Sequence, residues 1–519
     1  MKFNIDDKKE LALITLISLA LVIYYINFNV NLGIYCSDVY VYLLNAQYFA
    51  GTNIHATNNI FLSPIICFLT SLLFDIGFVD RISIYVVTGI LAIAGNIGLY
   101  LLLRLRFDKL LSFTGTIVYT TLALNLAWLA NGSLDIPAVS ITIWIVYLSL
   151  LAMKNEAKYY VYVFPLLAVG FFTRYTVGLI LPALVLYYLY ENSFKIKKDE
   201  VKFIKKGLII GIIFFLIVVA VILIMGNGNL GFGSLFVSGV GGSLGSTHDS
   251  SYNPDFSYYL VNLPNFISST NTTFIAKTPA LGNPTILSGL VFLILIAGAL
   301  LWTRKKELDL NREKIMGIAL CLIALLTFSM FSSTITIILV FFGLYLIGKD
   351  SDSKMGYAMI CWILAYLIFQ SYYVIKVNRY IMPAFPPLIY FLMVGVQEIN
   401  EKISKKQIIP IILIVLFLIQ GFAFTYTFED TNEFNAPEQI SDYIKADADN
   451  WSDLKIGVYN IRPYFWYLGD NVTGIPNQFT PEIIDSNVTY YISNVKQDNL
   501  TNYTEITQIE DLYLYKRTG

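Results

Sequence analysis

Two carboxylates in this chain stand where an acid is expected to do chemistry rather than to pack. Asp38 follows the first long hydrophobic stretch, and Asp135 lies between two others, shortly before Pro137 at the start of a predicted helix. An acid at a membrane face is costly unless it pairs with a partner or takes part in a reaction. Two such acids could orient an acceptor hydroxyl, or one could accept its proton while the other holds a metal ion. The alternative for Asp135 is a helix N-terminal cap.

Two arginine–tyrosine pairs accompany these acids. Arg174-Tyr175 lies in a tight turn between two short hydrophobic stretches, and Arg379-Tyr380 begins another stretch and is followed by prolines. A guanidinium group is well suited to binding a phosphate through two parallel hydrogen bonds. The alternative is that an arginine at the membrane surface simply extends its side chain to the lipid headgroups. Two cations on the same face as two acids favour an anionic, lipid-borne substrate, with the cations stabilising a leaving phosphate and a carboxylate deprotonating the attacking hydroxyl.

Histidine offers little further support for a metal site. The two histidines of the chain are His55 and His248, and His248 follows the glycine-rich stretch 226–245. We take His248 as a candidate metal ligand, although no His/Cys/Glu spacing accompanies it. Residues 226–231 match the GxGxxG pattern, but they follow a membrane span and lack the strand–helix context of a dinucleotide site. The stretch is interpreted as a flexible lid over the site.

The composition is that of a polytopic membrane protein. Of 519 residues, 56% are hydrophobic and 14% are charged, whereas soluble domains carry about 25% charged residues. The net charge of −1 argues against a nucleic-acid partner, because such proteins carry a basic excess. Four scattered cysteines form no disulfide framework and no CxxC pair. The first apolar stretch is interpreted as a retained membrane helix rather than a cleaved signal.

Hydrophobic stretches recur along the chain and predict about thirteen transmembrane helices. They lie near residues 11–28, 82–103, 111–130, 137–153, 160–173, 176–190, 207–225, 285–303, 315–330, 333–347, 355–373, 381–396 and 408–426. The apolar stretch 60–77 is predicted to lie as a helix along the outer membrane surface, with a full span as the alternative.

Lysine and arginine are concentrated in alternate loops, with the longest run at 195–206. The positive-inside rule places these loops in the cytoplasm, where the run would contact anionic lipid headgroups. The N-terminus is then cytoplasmic, whereas Asp38, Asp135, the loop 226–284 and the C-terminus face outward. The sequence therefore predicts a multi-pass plasma-membrane protein whose candidate chemistry lies on the outer face.

The end of the chain differs in composition from the rest. Residues 427–519 are polar and rich in Asn, Asp, Thr and Tyr, with candidate strands at 456–459, 490–493 and 512–515 and a helix at 438–446. We predict a membrane catalytic domain over residues 1–426 and a small extracytoplasmic α/β domain over 427–519. Asn-x-Ser/Thr triplets occur at seven positions, all in predicted outer segments, and whether they are glycosylated stays open: Asn131, Asn271, Asn450, Asn471, Asn487, Asn499 and Asn502.

Asp38 in the first outer loop, Asp135 at the next outer turn, Thr173-Arg174-Tyr175 and Arg379-Tyr380 before prolines together resemble a known family. They are similar to the integral-membrane glycosyltransferases of the GT-C fold, family 39, which include protein O-mannosyltransferases and the aminoarabinose transferase of lipid A. The resemblance extends over nearly the whole chain. It implies a polyprenyl- or dolichyl-phosphate sugar donor and an inverting transfer to an acceptor outside the membrane.

The resemblance also implies roles for residues. Asp38 corresponds to the catalytic base, Asp135 to the acid of the second outer loop, and Arg174 to a residue that contacts the donor phosphate. Some members bind a metal through a carboxylate just before the interfacial helix and a histidine of the long outer loop. Here residues 62–64 read Leu-Ser-Pro, with no acid, and His248 remains, so participation of a divalent metal stays open. A Trp-Trp-Asp motif is absent, which disfavours transfer of whole oligosaccharides to asparagine.

The favoured hypothesis is a glycosyltransferase with Asp38 as base, Asp135 positioning acceptor or metal, and the Arg174-Tyr175 and Arg379-Tyr380 pairs holding the donor phosphate. The rival is a lipid-linked sugar flippase or transporter. Transporters keep their coupling groups near the bilayer midplane, often in duplicated halves, whereas these charges lie at one face and no internal repeat is clear. A third alternative is an inactive homologue whose C-terminal domain binds a cell-surface partner. The sequence leaves the sugar and the acceptor open, whether protein, lipid or cell-surface glycan.

Overall fold

The structure, a computed structural model, is built mainly of α-helices. It describes residues 7–52, 60–154, 156–192, 198–226, 252–275, 278–304, 311–402, 407–428, 431–477, 483, 486 and 488–518. The helices of the first half are Lys8–Leu32 (α1), Asp38–Phe49 (α2), Pro64–Asp75 (α3), Arg81–Arg104 (α4), Lys109–Thr120 (α5), Ala123–Ala127 (α6), Asp135–Lys154 (α7), Tyr160–Thr173 (α8), Leu181–Asn192 (α9) and Lys198–Met225 (α10). Those of the second half are Tyr258–Val261 (α11), Leu263–Ile267 (α12), Ile286–Arg304 (α13), Arg312–Leu326 (α14), Ser333–Gly348 (α15), Lys354–Tyr372 (α16), Phe385–Asn400 (α17), Ile408–Thr425 (α18), Ala436–Asp447 (α19) and Ile461–Leu468 (α20).

Seven of the described helical segments are long and apolar enough to cross a membrane. They are α1, α4, α7, α10 from Glu200, α16, the segment Asn378–Asn400 and α18. Every predicted hydrophobic stretch contains a helix, but 111–130 divides between α5 and α6, and 176–190 begins in the 3₁₀ helix Tyr175–Ile180. The polytopic all-α fold is confirmed, whereas the number of helices that cross the bilayer stays a prediction.

Two short helices, α2 and α3, connect the ends of the long helices α1 and α4. The helix α3 has 12 residues, which span only about 18 Å at 1.5 Å per residue, whereas a crossing needs about 20 residues. The structure therefore favours the predicted surface placement over a full span. The helix α2 is enclosed on all sides, since residues 39–46 are all buried, and this burial fixes the position of Asp38 at its first turn.

The helices α13 and α17 cross at two glycines. A Cβ atom added to Gly298 would lie 2.3 Å from the Cα atom of Gly395, and one added to Gly395 would lie 2.7 Å from the carbonyl oxygen of Ile294. Small residues at such a crossing let two membrane helices approach backbone to backbone. Because α17 directly follows the Asn378–Ala384 3₁₀ helix, this crossing helps to hold the segment that carries Arg379.

The described β-structure comprises a hairpin and a sheet. The hairpin joins strands Thr272–Ile275 (β1) and Thr278–Leu281 (β2) in the segment between α12 and α13, which the sequence predicts to face outward. The sheet has the order β4-β3-β5-β7-β6, with strands Ile456–Val458 (β3), Val472–Gly474 (β4), Tyr490–Ser493 (β5), Tyr503–Ile509 (β6) and Leu512–Arg517 (β7). Strand β3 pairs in parallel with β4 and β5, and β7 is antiparallel to its neighbours. The three predicted strands and the helix at 438–446 are confirmed, whereas β4, β6 and α20 were not predicted.

The C-terminal part packs on the short helices of the membrane part. Arg81 Nη1 at the start of α4 lies 2.6 Å from Glu438 Oε2 in α19. The rings of Phe74 in α3 and Trp466 in α20 are stacked with their centroids 6.1 Å apart. Segments that the sequence places on the outer face therefore meet at one end of the helical bundle, and this contact brings α20 next to α2.

Candidate functional site

Asp38 begins α2 after a sharp turn at Gly33. Gly33 has a φ of +95°, and a Cβ atom there would lie 2.6 Å from the backbone of Phe434, so a side chain would clash with the C-terminal part of the chain. The side chain of Asp38 is 42% exposed. An acid anchored by a buried helix and open to solvent can receive a proton from a reactant.

The loop between α6 and α7 is held against the turn before α2 by Tyr35. The Tyr35 hydroxyl donates to the Ala127 carbonyl at 3.0 Å and accepts from the side-chain amide of Asn131 at 2.6 Å. This loop leads directly into Asp135. Asn131 is buried, so its glycosylation triplet is inaccessible in the folded protein.

Asp135 is a buried counter-ion of two arginines. Its side chain is 3% exposed. One carboxylate oxygen pairs with Arg174, and the other lies 3.4 Å from Nε of Arg379. The carboxylate is thus a charge partner of two arginines and not the N-cap residue of α7, which begins at Asp135 itself. Its burial favours positioning the arginines over direct contact with an acceptor.

Arg379 bridges the two acids. Its Nη2 atom lies 3.3 Å from Oδ2 of Asp38, and its Nη1 donates to the Cys36 sulfur at 2.9 Å. The guanidinium carbon lies 4.6 Å from the ring centre of Trp128, a cation–π contact. Burial raises the pKa of the Cys36 thiol above its usual range although Arg379 opposes this, so Cys36 is a neutral acceptor at neutral pH. Arg379, whose side chain is 11% exposed, is therefore held in one orientation.

Tyr380 contacts both predicted phosphate-binding arginines. The guanidinium carbon of Arg174 lies 4.9 Å from the centre of its ring, and that of Arg379 lies 5.8 Å from it. Both distances are within the range of a cation–π contact, so the ring helps to hold the two guanidinium groups. Tyr175, also predicted to bind the donor phosphate, is engaged elsewhere. Its hydroxyl donates to the Phe61 carbonyl at 2.5 Å and so connects the turn to the segment before α3.

Sequence reasoning missed a third arginine at this site. Arg462, the second residue of α20, has Nη1 3.7 Å from Oδ1 of Asp38, and its side chain is 45% exposed. Trp128 and Cys36 were also missed. The only signal for Arg462 was a cation among the aromatic residues of 461–468. Among the described residues of the site, three guanidinium groups face two carboxylates and leave one net positive charge, which suits a singly charged phosphodiester.

The described residues do not fit a metal ion. Arg379 lies between Asp38 and Asp135, so the two carboxylates do not converge on a shared position. The described part of the chain also holds no group of three or more His, Cys, Asp and Glu side chains. His248, His55 and nearly all of the glycine-rich stretch lie outside the described residues.

Comparisons with known proteins agree with this architecture. Residues 62–224 match the family model described as dolichyl-phosphate-mannose-protein mannosyltransferase. No curated protein sequence matches the chain. The crystal structure of ArnT from Cupriavidus metallidurans bound to undecaprenyl phosphate superposes with a TM-score of 0.59 and 11% identity, over 96% of this chain and 97% of that chain.

Two further crystal structures share the fold. The apo state of the same ArnT gives a TM-score of 0.58 at 10% identity, over 97% of each chain. The Archaeoglobus fulgidus oligosaccharyltransferase in complex with Zn and sulfate gives 0.51 at 12% identity, over 93% of this chain and 67% of that chain. The agreement with ArnT along almost the full length of both chains confirms the predicted GT-C fold, and the seven long apolar helices of the described residues support a multi-pass membrane protein.

Proposed function

We propose that this protein is a membrane glycosyltransferase that moves one sugar from a polyprenyl- or dolichyl-phosphate carrier to an extracytoplasmic acceptor. The observation that carries the proposal is the partly exposed Asp38 held between Arg379 and Arg462, with Arg174 and Arg379 sharing the counter-ion Asp135. The undecaprenyl phosphate bound by ArnT and the dolichyl-phosphate-mannose in the description of the matching family support a lipid phosphate as the donor group.

The proposed reaction is a single displacement. Asp38 accepts the proton of an acceptor hydroxyl, whose oxygen attacks the anomeric carbon of the donor sugar. The bond between that carbon and the phosphate oxygen breaks, and the electron pair leaves with the lipid phosphate. Attack opposite the leaving group inverts the anomeric configuration. The products are the glycosylated acceptor and the free lipid phosphate.

The arginines stabilise the charge that develops on the leaving phosphate. Arg174 and Arg379 are already oriented by Asp135 and by the ring of Tyr380, so they need no rearrangement as charge builds up. The donor phosphate competes with Asp38 for Arg379. Binding of the donor therefore releases the Asp38 carboxylate to act as the base.

The proposed site faces the outside of the plasma membrane, with the N-terminus in the cytoplasm. The lysine- and arginine-rich loops support this orientation through the positive-inside rule. The lipid chain of the donor enters sideways between the helices, because its phosphate must reach arginines at the end of the bundle. The C-terminal part contributes Arg462 from the acceptor side.

The test is transfer of labelled sugar from undecaprenyl-phosphate-linked hexoses by purified protein, with Asp38→Asn beside the wild type. We expect the wild type to release labelled product of inverted configuration, and the variant to bind donor without turnover. Asp75→Asn serves as the control, because Asp75 is an exposed acid at the end of α3. Equal turnover in both proteins removes Asp38 from the mechanism. Transbilayer movement of the intact donor without transfer, across several sugars and acceptors, contradicts the proposal in favour of a flippase.

A further inference from the structure

A cavity of about 250 Å³ lies next to the arginine–aspartate site. Its walls come from α11 and α12, from both strands of the hairpin, and from residues 376–378, which directly precede Arg379. Pockets for small molecules usually measure about 300–1,000 Å³. The cavity is thus of a size for a single compact group rather than for an extended chain.

The lining combines aromatic rings with neutral hydrogen-bonding groups. Phe266 and Tyr258 supply the rings, and Asn265 and Thr278 supply an amide and a hydroxyl. Among the described residues, neither the Asn265 amide nor the Thr278 hydroxyl has a hydrogen-bond partner, although both side chains are half-buried. An amide and a hydroxyl both donate and accept, as the hydroxyl groups of a sugar require of their partners.

Among the lining residues that the structure describes, the charged group is Lys376, and its ammonium is fully hydrogen-bonded. Lys376 is 6% exposed. Its ammonium donates to the carbonyls of Gln370 at 3.1 Å and Ser371 at 2.7 Å, and also to that of Tyr373. An ammonium group has three protons, so none is left for a ligand. Lys376 therefore offers no proton to an anionic ligand, whereas Asn265 and Thr278 can pair with the hydroxyls of a neutral polyhydroxylated group.

Asn378 connects the cavity to the residues that hold Arg379. Asn378 accepts a hydrogen bond from the Trp128 indole at 3.0 Å and donates to the Pro279 carbonyl at 2.6 Å. The ring of Trp128 in turn lies under the guanidinium of Arg379. The cavity wall at Asn378 is thus hydrogen-bonded to the ring that supports Arg379, and the cavity adjoins the proposed phosphate site.

We infer that this cavity binds a sugar ring through Asn265 and Thr278, with the rings of Phe266 and Tyr258 against its apolar face. The ring belongs either to the lipid-linked donor or to a glycan on the acceptor. The assignment of the ring to one of these substrates rests on the proposed function, whereas sugar binding itself does not.

The first arm of the test measures binding of undecaprenyl phosphate and of undecaprenyl-phosphate-linked mannose to the full chain in lipid nanodiscs. Asn265→Ala and Thr278→Val are compared with Asn283→Ala, which alters an exposed asparagine outside the cavity. If the cavity holds the donor sugar, the first two variants lose about tenfold in affinity for the sugar-bearing lipid. Their affinity for the bare lipid phosphate stays at the wild-type level.

The second arm measures transfer to soluble glycan acceptors and binding of free mono- and disaccharides. If the cavity holds an acceptor glycan, the same variants raise the KM for that glycan about tenfold at unchanged kcat, and donor binding is unaffected. Variants that match the wild type in both arms overturn the inference. If the wild type binds sugar but transfers none, and Asn265→Ala loses that binding, the proposed function is overturned and the cavity assignment stands.

Discussion

Nη1 of Arg462 lies 3.7 Å from Oδ1 of Asp38, although the two residues belong to opposite ends of the chain. Both side chains are nearly half exposed, and an exposed ion pair contributes at most about 1 kcal/mol to stability. The contact is therefore of little consequence for folding. Its importance is electrostatic, because it places a cation of the C-terminal part beside the proposed base.

We expect Arg462→Ala to reduce kcat/KM for sugar transfer about tenfold, equivalent to about 1.4 kcal/mol, because one of the cations near the phosphate is lost. Arg462→Lys should retain part of the rate. Steady-state kinetics with the undecaprenyl-phosphate-linked donor measures the effect. Lys496→Ala is the matched control, since Lys496 forms a similarly exposed 3.7 Å pair with Glu505 in the same part of the chain. An equal loss in both variants would mean that the effect is not specific to the site.

Replacing the buried Asp135 should destabilise the protein. Asp135→Asn leaves Arg174 and Arg379 without their buried counter-ion, and breaking a buried pair by removing one partner costs about 3–5 kcal/mol. The midpoint of thermal unfolding in detergent should fall, whereas Asp75→Asn should leave it unchanged. In the double variant Asp135→Asn/Arg174→Met, part of the lost stability should return, because one uncompensated charge is removed. Strictly additive losses would show that the ion pair is not the cause.

The glycine crossing predicts a sharp difference between two substitutions on one helix. Gly298→Ala places a methyl group 2.3 Å from the backbone of Gly395, whereas Gly289→Ala meets nothing within 4 Å. Overpacking of this kind costs about 1–3 kcal/mol. Gly298→Ala should therefore lower the thermal midpoint, and also lower donor affinity because α17 continues from the Arg379 segment. Gly289→Ala should match the wild type in both measurements, and the same result for Gly298→Ala would contradict the close approach.

Lys376 predicts a rise of stability with pH. Burial lowers the pKa of its ammonium in the folded protein from 10.5 to about 8. Between these values the unfolded chain binds more protons than the folded one, so the free energy of unfolding increases as pH rises through this window. Thermal midpoints at pH 7.5 and 9.5 should show a larger gain for the wild type than for Lys376→Met. Lys445→Met, at a more exposed lysine, should behave like the wild type. An equal gain in Lys376→Met would refute the lowered pKa of Lys376 as the cause.

The sequence predicted the fold wherever the signal was local. Hydrophobic runs of helical length marked the helices of the bundle, and β-rich patterns marked β3, β5 and β7. The strands β4 and β6 were missed because they are short or largely exposed and lack an apolar pattern. The break between α5 and α6 was missed because the run of apolar residues continues across it.

Sequence alone also indicated the types of residue in the site. Asp38, Asp135, Arg174 and Arg379 stood out because a charge beside a hydrophobic stretch is costly without a partner. Only the tertiary structure decided their pairing: Asp135 buried between the arginines, Tyr380 in contact with both cations, and Arg462 beside Asp38. Such contacts join residues far apart along the chain, and helix packing sets their distances. A linear pattern carries the period of each helix but not the geometry in which the helices meet.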